Sequence, residues 1–413
     1  MSGRSLSLQA YRTLSRRGPV RARDHETPRP PGEVVWFHLG HIKDHAAVLD
    51  IIDRLVVHRT GVNVLLTTSP GRSHPKTRID DRPGLITEQV PDEHPHAVDE
   101  FLDHWRPDMC LWLWGGLRPN LVHETSRRNI PMHLIAAEPA GFDSRRDRWL
   151  PELSRQVLRS FVSATAASSP ALERLARLGL PREKMELQPK LRPTGRVLPC
   201  QSSDLDEITQ YLAGRPVWLA AQTQKQEWSP VLRAHRAALR NAHRLLLVLE
   251  PTESTDLEEL CALIDRHGLT RGIWGNGEWP DETVQVLIAD IPGELGLWYR
   301  LATVSFLGSS LGAGQAGIDP FEAAALGTAI LYGPNVGSRL NSYTLLANAG
   351  AARIVNDADS LATAVHRLVA PDQAAVMAHA GWDVTSQGAE VVDGVVDLIQ
   401  NGLDDRAATK EHP

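Results

Sequence analysis

Two short stretches put chemistry-bearing residues at the starts of helices. In "DIPGELGLWYRLATVSFLGSSL" (residues 290–311), Pro292-Gly293-Glu294 precedes a short helical run that passes at once into a strand. The first N–H groups of a helix lack intrahelical partners, and the aligned peptide dipoles make that end electropositive. Gly293 has no Cβ, so a phosphate can approach the backbone there. Glu294 is too close to such an anion to be its ligand. It either complements the helix dipole or accepts hydrogen bonds from backbone amides or a ligand hydroxyl.

In "GIDPFEAAALGTAILYGP" (residues 317–334), Asp319 is an N-cap, Pro320 takes the first helical position and Glu322 the third. Gly327 stops this helix before a strand at Thr328–Tyr332. Capping alone accounts for these residues, but a Glu at a helix start can also hold the two hydroxyls of a ribose. Two such starts in consecutive βα units point to a nucleotide site.

Asp44, in "HLGHIKDH" (residues 38–45), is a candidate general base, and equally a cap for a helix over Asp44–His58. His41 and His45 are spaced to share one helix face, as zinc ligands do, yet the sequence singles out no third ligand. Trp112 and Trp114 alternate with Leu111 and Leu113, which places both indoles on one sheet face. Both suit core packing, and Trp114, at the strand's carboxyl end, also suits stacking on a sugar. Arg145, Arg146 and Arg148 form a basic run that fits either phosphates or solvent.

The elements that position these residues alternate regularly. Strands are expected at Val34–Phe37, Val62–Thr67, Asp108–Trp114, Met132–Ile135 and Phe161–Ala167. Amphipathic helices lie between them, the last capped by Ser169 and stopped by Gly179. The aperiodic, proline-rich residues 189–203 read as a linker. Beyond it, strands Val217–Ala221, Leu245–Leu249 and Val284–Ile288 alternate with helices Glu227–Arg240 and Asp256–His267. The expected division is a basic N-terminal segment (1–30), a first α/β domain (31–188), the linker, a second α/β domain (204–385) and a C-terminal helix and tail (386–413). Parallel sheets covered on both faces follow from this alternation, with ligands at the strands' carboxyl ends in a cleft between the domains.

The chain has 413 residues, 42% hydrophobic and 23% charged, with net charge −6, so no overall basic field favours nucleic acid. Cys110, Cys200 and Cys261 are scattered, without the spacing of a disulfide framework or zinc finger. No apolar run reaches the ~18 residues of a spanning helix. At the N-terminus, Leu6, Leu8 and Tyr11 stand beside Arg12, Arg16 and Arg17. That pattern fits either a basic helix lying on an anionic membrane surface or a solvated tail.

The stretches "GELGLWYRLATVSFLGSSL", "EAAALGTAILYGPN" and "AGAARIV" resemble the 3-deoxy-D-manno-octulosonic acid (Kdo) transferases of lipopolysaccharide synthesis, as do "RPD…LRPNL" and residues 34–55. The resemblance runs from Val34 to Ile399. It implies a GT-B architecture: two Rossmann-like domains across a cleft, the second binding a CMP-activated sugar and the first a lipid A precursor or other envelope glycolipid. It further implies an inverting, metal-independent transfer without cofactor, at the cytoplasmic face of the inner membrane.

By position, Asp44 matches the family's catalytic Glu, and Arg192 a lysine that stabilises the transition state. Pro251, Pro292, Gly293, Glu294, Asp319 and Glu322 match donor-side positions. Trp114, Arg145, Arg146 and Arg148 fall on the acceptor side. The chain also departs from the pattern. Lys43 replaces a glycine, Trp114 and Gly116 replace two strand-end glutamates, and Thr252-Glu253 replaces the Arg-His of a Pro-Arg-His motif. Loss of these groups leaves a second reading open, a non-catalytic paralogue that binds a nucleotide sugar, a glycolipid or a partner enzyme.

Overall fold

The computed structural model describes residues 6–17, 27–40, 46–68, 84–142, 151–253 and 256–411. Asp44, Lys43, His41 and His45, and the run Arg145, Arg146 and Arg148, lie outside the described residues. The chain divides into two compact units, Met1–Arg192 with Glu390–Pro413, and Pro193–Ala389.

The first unit holds seven strands: β1 (Glu33–Leu39), β2 (Val62–Thr68), β3 (Leu85–Gln89), β4 (Met109–Leu113), β5 (Met132–Ala137), β6 (Ser163–Ala166) and β7 (Met185–Leu187). They pair in the order β3-β2-β1-β4-β5-β6-β7, every neighbour parallel. Alternate residues of β1 face opposite cores. Val34 and Trp36 join Trp105, Trp112 and Phe161 on one side. Val35, Phe37 and Leu39 join Ile51 and Leu55 of the helix Ala46–His58 on the other. A strand buried on both faces reads as the continuous apolar run "VVWF", whose existence the sequence announces.

The second unit repeats the plan with β8 (Val217–Thr223), β9 (Leu246–Pro251), β10 (Arg271–Ile273), β11 (Val286–Ile288), β12 (Val304–Leu307), β13 (Ala329–Tyr332) and β14 (Ala352–Ile354). Their order is β10-β11-β9-β8-β12-β13-β14, again all parallel. Two Rossmann-like α/β units, each built on a seven-stranded parallel sheet, are the composition of the GT-B class. Strand order reverses between β1 and β4 in the first sheet and between β8 and β12 in the second. Ligands of open α/β sheets bind at the strands' carboxyl ends at such switch points.

Several local expectations differ from what is observed. Ser168, not Ser169, caps the helix Ser169–Arg177, its side chain accepting from Ala171 N. The C-terminal helix begins at Pro371 and runs to Glu411. Strands β3, β7, β10 and β14 are short, and each holds residues that are only partly buried or exposed, so they carry little apolar signal. Trp112 and Trp114 do not share a face. Trp112 lies in one core, and Trp114 lies with Leu111 and Leu113 in the other. The strand ends at Leu113 and Trp114 takes φ 64, which breaks the two-residue alternation.

Residues 193–201, inside the expected linker, pack on the second unit. A Cβ on Gly195 would meet Phe321 O at 2.3 Å, and Arg300 Nη1 donates to Leu198 O at 3.0 Å. At the N-terminus, the helix Leu6–Ser15 packs on the first unit: Leu8 is buried, Tyr11 Oη donates to Glu93 at 3.1 Å, and Arg12 Nη2 pairs with Glu124. Leu14, Arg16 and Arg17 are left facing outward. Among the described residues, no helix is long and apolar enough to cross a membrane.

Arg215 closes the amino end of the second sheet, donating to the carbonyls of Arg244, Pro280, Asp281 and Val284. Behind it, His235 is buried as a neutral ring. Its Nε2–H donates to Gln285 O at 2.9 Å, and its Nδ1 accepts from Trp218 Nε1 at 3.1 Å. Burial lowers its pKa from 6.5 to about 3, and burial lowers that of His133 in the first unit to about 4. Unfolded histidine binds a proton below about 6.5, whereas these folded rings resist it. Stability therefore falls as pH drops from about 6.5 toward 4, by up to about 1.4 kcal/mol per pH unit for each ring. Urea unfolding from pH 7.5 to 4.5 checks this. His235→Gln should flatten the slope, and an unchanged slope would remove His235 from the account.

Candidate functional site

The carboxyl edge of the second sheet is organised by a carboxylate. The helix Lys225–Ala238 opens with a capping box in which Glu227 reaches back to Gln224. The same carboxylate, 1% exposed, then spans to the loop after β12. Its Oε2 accepts from Gln224 N at 2.9 Å and Ser309 N at 2.7 Å, and its Oε1 from Ser310 N at 2.9 Å and Leu311 N at 2.8 Å. Four N–H donors fill the four acceptor positions of an ionised carboxylate, which is how a charge tolerates burial without a cation. This clamp sits at the β8–β12 switch point. In the sequence, Gln224 lies outside the usual Ser/Thr capping signature, although its spacing to Glu227 fits that box.

Two non-glycine residues beside the clamp adopt left-handed backbone, Gln222 at φ 45 and Ser309 at φ 53. They are joined by Ser309 Oγ donating to Gln222 O at 3.1 Å. Such conformations cost of order 1–3 kcal/mol each and cluster where a site needs a fixed shape. The N–H of Gln222 is given to Glu250 Oε2 at 3.3 Å. Glu250 ends the apolar strand β9 and is 9% exposed. Burial foremost, and the neighbouring charge of Glu322, raise its pKa to about 7 against the pull of that N–H. The sequence carries a signal for it: one charged residue closes an otherwise apolar "LLLVLE" strand.

Asp319 caps the helix Pro320–Ala325, accepting from Phe321 N at 3.0 Å, and pairs with Arg339 at 3.3 Å. Glu322 lies in that first turn, half-buried. Both carboxylates and Glu250 act on the buried Tyr299, whose hydroxyl has no hydrogen-bond partner among the described residues. Burial pushes its phenol up. Pro251 ends β9 beside this group, and Thr252 and Glu253 follow it, exposed. Pro251, Asp319 and Glu322 thus share one region with Glu250.

Pro292, Gly293 and Glu294 belong to a second region of the same unit. The helix runs from Leu295 to Leu301 with Glu294 at its cap and Gly293 before it at φ 91, with open space where a side chain would stand. Glu294 Oε2 accepts from Trp274 Nε1 at 2.7 Å. Burial raises its pKa, and Asp204 and Asp290 add to the rise. A cavity of about 300 Å³ opens here, lined by Pro199, Cys200, Gln201, Asp204, Gly293, Glu294 and Leu297. A phosphate at Gly293 would therefore meet acidic surroundings.

In the first unit, Gly40 and Gly115 are pressed together at the β1–β4 switch point. A Cβ on Gly40 would lie 1.7 Å from Gly115 O, so only glycine fits. His38 ends the buried face of β1, its Nδ1 2.9 Å from Thr67 Oγ1 and its ring edge-on to Trp112. Burial, then Arg118, holds it neutral by lowering its pKa. Trp114 is 7% exposed, and Arg192 at the unit's end is half-buried. Among the described residues, no group of three His, Cys, Asp or Glu is placed to hold a metal.

The clamp yields a test. Glu227→Gln turns two acceptor positions into an N–H₂ group facing N–H donors, which should cost about 3 kcal/mol or more and release the Ser309–Leu311 loop. Urea unfolding and hydrogen exchange at Ser309, Ser310 and Leu311 would show it. Unchanged protection would refute the clamp.

Residues 12–193 match the family described as 3-deoxy-D-manno-octulosonic-acid transferase (kdotransferase). The chain is 24% identical over 379 residues to the 3-deoxy-D-manno-octulosonic acid transferase of Haemophilus influenzae, covering 91% of this chain and 88% of that one. It is 26% identical over 388 residues to the enzyme of the same name from Bordetella pertussis, covering 91% and 89%. Among solved structures, the C-terminal CMP-Kdo binding domain of WaaA from Acinetobacter baumannii matches 46% of this chain and 99% of its own length, at 23% identity and a TM-score of 0.41. The N-terminal part of the chain thus matches the family profile, and relatives named 3-deoxy-D-manno-octulosonic acid transferase align along nearly its whole length.

Proposed function

We propose that this protein is a glycosyltransferase that moves Kdo, or a related ulosonic acid, from a CMP-activated donor to a lipid A precursor or other envelope glycolipid. The observation that carries this reading is the grouping of Pro251, Asp319 and Glu322 at the carboxyl edge of the second sheet, on family donor positions. Glu322 accepts the ribose hydroxyls, and Pro292, Gly293 and Glu294 border the sugar phosphate. Asp44 removes the proton of the acceptor hydroxyl, whose oxygen attacks the anomeric carbon as the bond to CMP breaks. A single displacement inverts that carbon. Arg192 and backbone N–H groups offset the charge left on the phosphate, so no metal is called for. Trp114 and the arginines 145, 146 and 148 serve the acceptor side, and Leu14, Arg16 and Arg17 give the N-terminal helix a basic outer face for the cytoplasmic membrane surface.

One observation favours a second reading, a binding paralogue without turnover. Thr252 and Glu253 stand exposed where the family carries Arg-His, and Trp114 stands where it carries a glutamate. That exchange removes cations from the nucleotide side.

Calorimetry should show CMP binding in preference to UDP and GDP, and Glu322→Ala should weaken it. No preference at millimolar concentration would end the donor-site assignment. In single-turnover transfer from CMP-Kdo to a lipid A precursor, Asp44→Asn should be slower by roughly 10²–10⁴-fold with CMP affinity nearly unchanged. Equal rates would remove Asp44 from the chemistry, and absence of transfer by the unaltered protein would favour the binding paralogue.

A further inference from the structure

We propose that the first unit carries a separate ligand site at the amino ends of its strands, a cavity that takes an unbranched fatty carboxylate. The cavity, of about 590 Å³, opens between the starts of β4, β5 and β6 and the C-terminal helix. Met109 is the first residue of β4, His133 the second of β5, and Val162 directly precedes β6. Ligands of open α/β sheets ordinarily bind at the opposite, carboxyl edge, and none of the donor or acceptor positions named above lines this space. Protein interiors pack with few voids larger than a water molecule, whereas pockets for organic ligands span roughly 300–1,000 Å³. This cavity is of the second kind.

The sequence of the helix Pro371–Glu411 accounts for the space. Val392, Val395, Val396, Ile399 and Leu403 recur at helical spacing and fill the core that also holds Val35 and Phe37 of β1. The neighbouring stripe, Leu398, Asn401, Gly402, Asp405 and Arg406, keeps the three- and four-residue spacing but lines the cavity instead. After Leu398 this stripe offers no large apolar side chain. At Gly402 the helix comes so near the sheet that a Cβ would lie 2.0 Å from Met109 Cε. The walls are left apolar, from Met109, Pro131, Val162 and Leu398.

Two polar side chains line this apolar space with bonding capacity left over. His133 is 6% exposed, and its Nδ1 lies 2.8 Å from Ser163 Oγ. Its Nε2 has no partner among the described residues. Burial keeps the ring neutral near pH 7, so with Ser163 donating to Nδ1 the ring's hydrogen is on Nε2. Arg406 is anchored by Nη1, which donates to Asn129 O at 2.8 Å. Its Nε stands 3.5 Å from Asp108 Oδ1 without a hydrogen bond, and Nη2 is left for a ligand. Asp108 also accepts the Val34 N–H at 3.1 Å, and Asp405 stands exposed. An imidazole N–H and a guanidinium are both donors, so the complementary headgroup is an acceptor, and an anionic one also meets the cation. An alkyl chain ending in a carboxylate satisfies the apolar walls and both donors. A cationic amphiphile of the same length satisfies only the walls.

The test titrates the full chain at pH 7.5 with decanoate below its micelle-forming concentration, and with decanol and decyltrimethylammonium beside it. Calorimetry should count one decanoate per chain, bound at least about tenfold more tightly than either control. Hydrogen exchange should slow over residues 398–406 when decanoate is bound. Arg406→Met should weaken decanoate by about tenfold and leave decanol unchanged. Val162→Glu, at a half-exposed position that tolerates a polar side chain, should weaken decanoate through repulsion and affect decanol less. Absence of saturable decanoate binding by the unaltered protein, or equal affinity for decanol, would overturn the proposal. So would binding that leaves exchange at residues 398–406 unchanged, a readout that needs no variant, or undiminished decanoate affinity in both variants.

Discussion

Most of the second unit's functional edge depends on one buried carboxylate. A strand end and a loop that follows another strand normally diverge, because nothing in a parallel sheet pairs their backbone groups beyond the last ladder bond. Here Glu227 collects the N–H groups of Gln224, Ser309, Ser310 and Leu311, and so joins the two sides of the switch point. An ionised carboxylate with four donors is satisfied without a cation. The left-handed turns at Gln222 and Ser309 lie on either side of this anchor, and their strain persists because the surrounding bonds hold it in place.

That arrangement shapes the electrostatics of the site. Glu227 is neutralised by backbone dipoles, whereas Glu250 accepts the Gln222 N–H and feels the neighbouring charge of Glu322. Where the family pattern has Arg-His after Pro251, this chain has Thr252 and Glu253. The edge is therefore acidic. An anionic ligand bound here would meet that charge, with Arg339 already paired to Asp319.

The first unit meets its switch point differently. Gly40 and Gly115 bring two chain segments to a distance that no side chain permits. Trp114, turned by its positive φ, fills the core facing the helix Ala46–His58 instead of lying beside Trp112. Trp114 therefore packs in that core, 7% exposed.

Local features of the sequence carried a large part of this. The buried strands are apolar runs, the helices have 3.6-residue periodicity, and Asp319-Pro320 marks a helix start, because each depends on neighbours within a few positions. The repeated alternation was enough to establish two parallel α/β sheets, and the motif residues pointed to the family whose profile residues 12–193 match. Side chains that act across the fold were not legible in the same way. Glu227 looks like an ordinary helix-start residue until Ser309, 82 positions along, is folded against it. Burial foremost, and Glu322 brought near by the helix Pro320–Ala325, raise the pKa of Glu250. Leu8 and Tyr11 read as part of either a membrane-lying basic helix or a solvated tail until the first unit covers them. Periodicity and capping are properties of adjacent residues and survive in the bare sequence. Burial, charge neighbours and backbone strain are set by segments distant along the chain, so only the tertiary structure decided them.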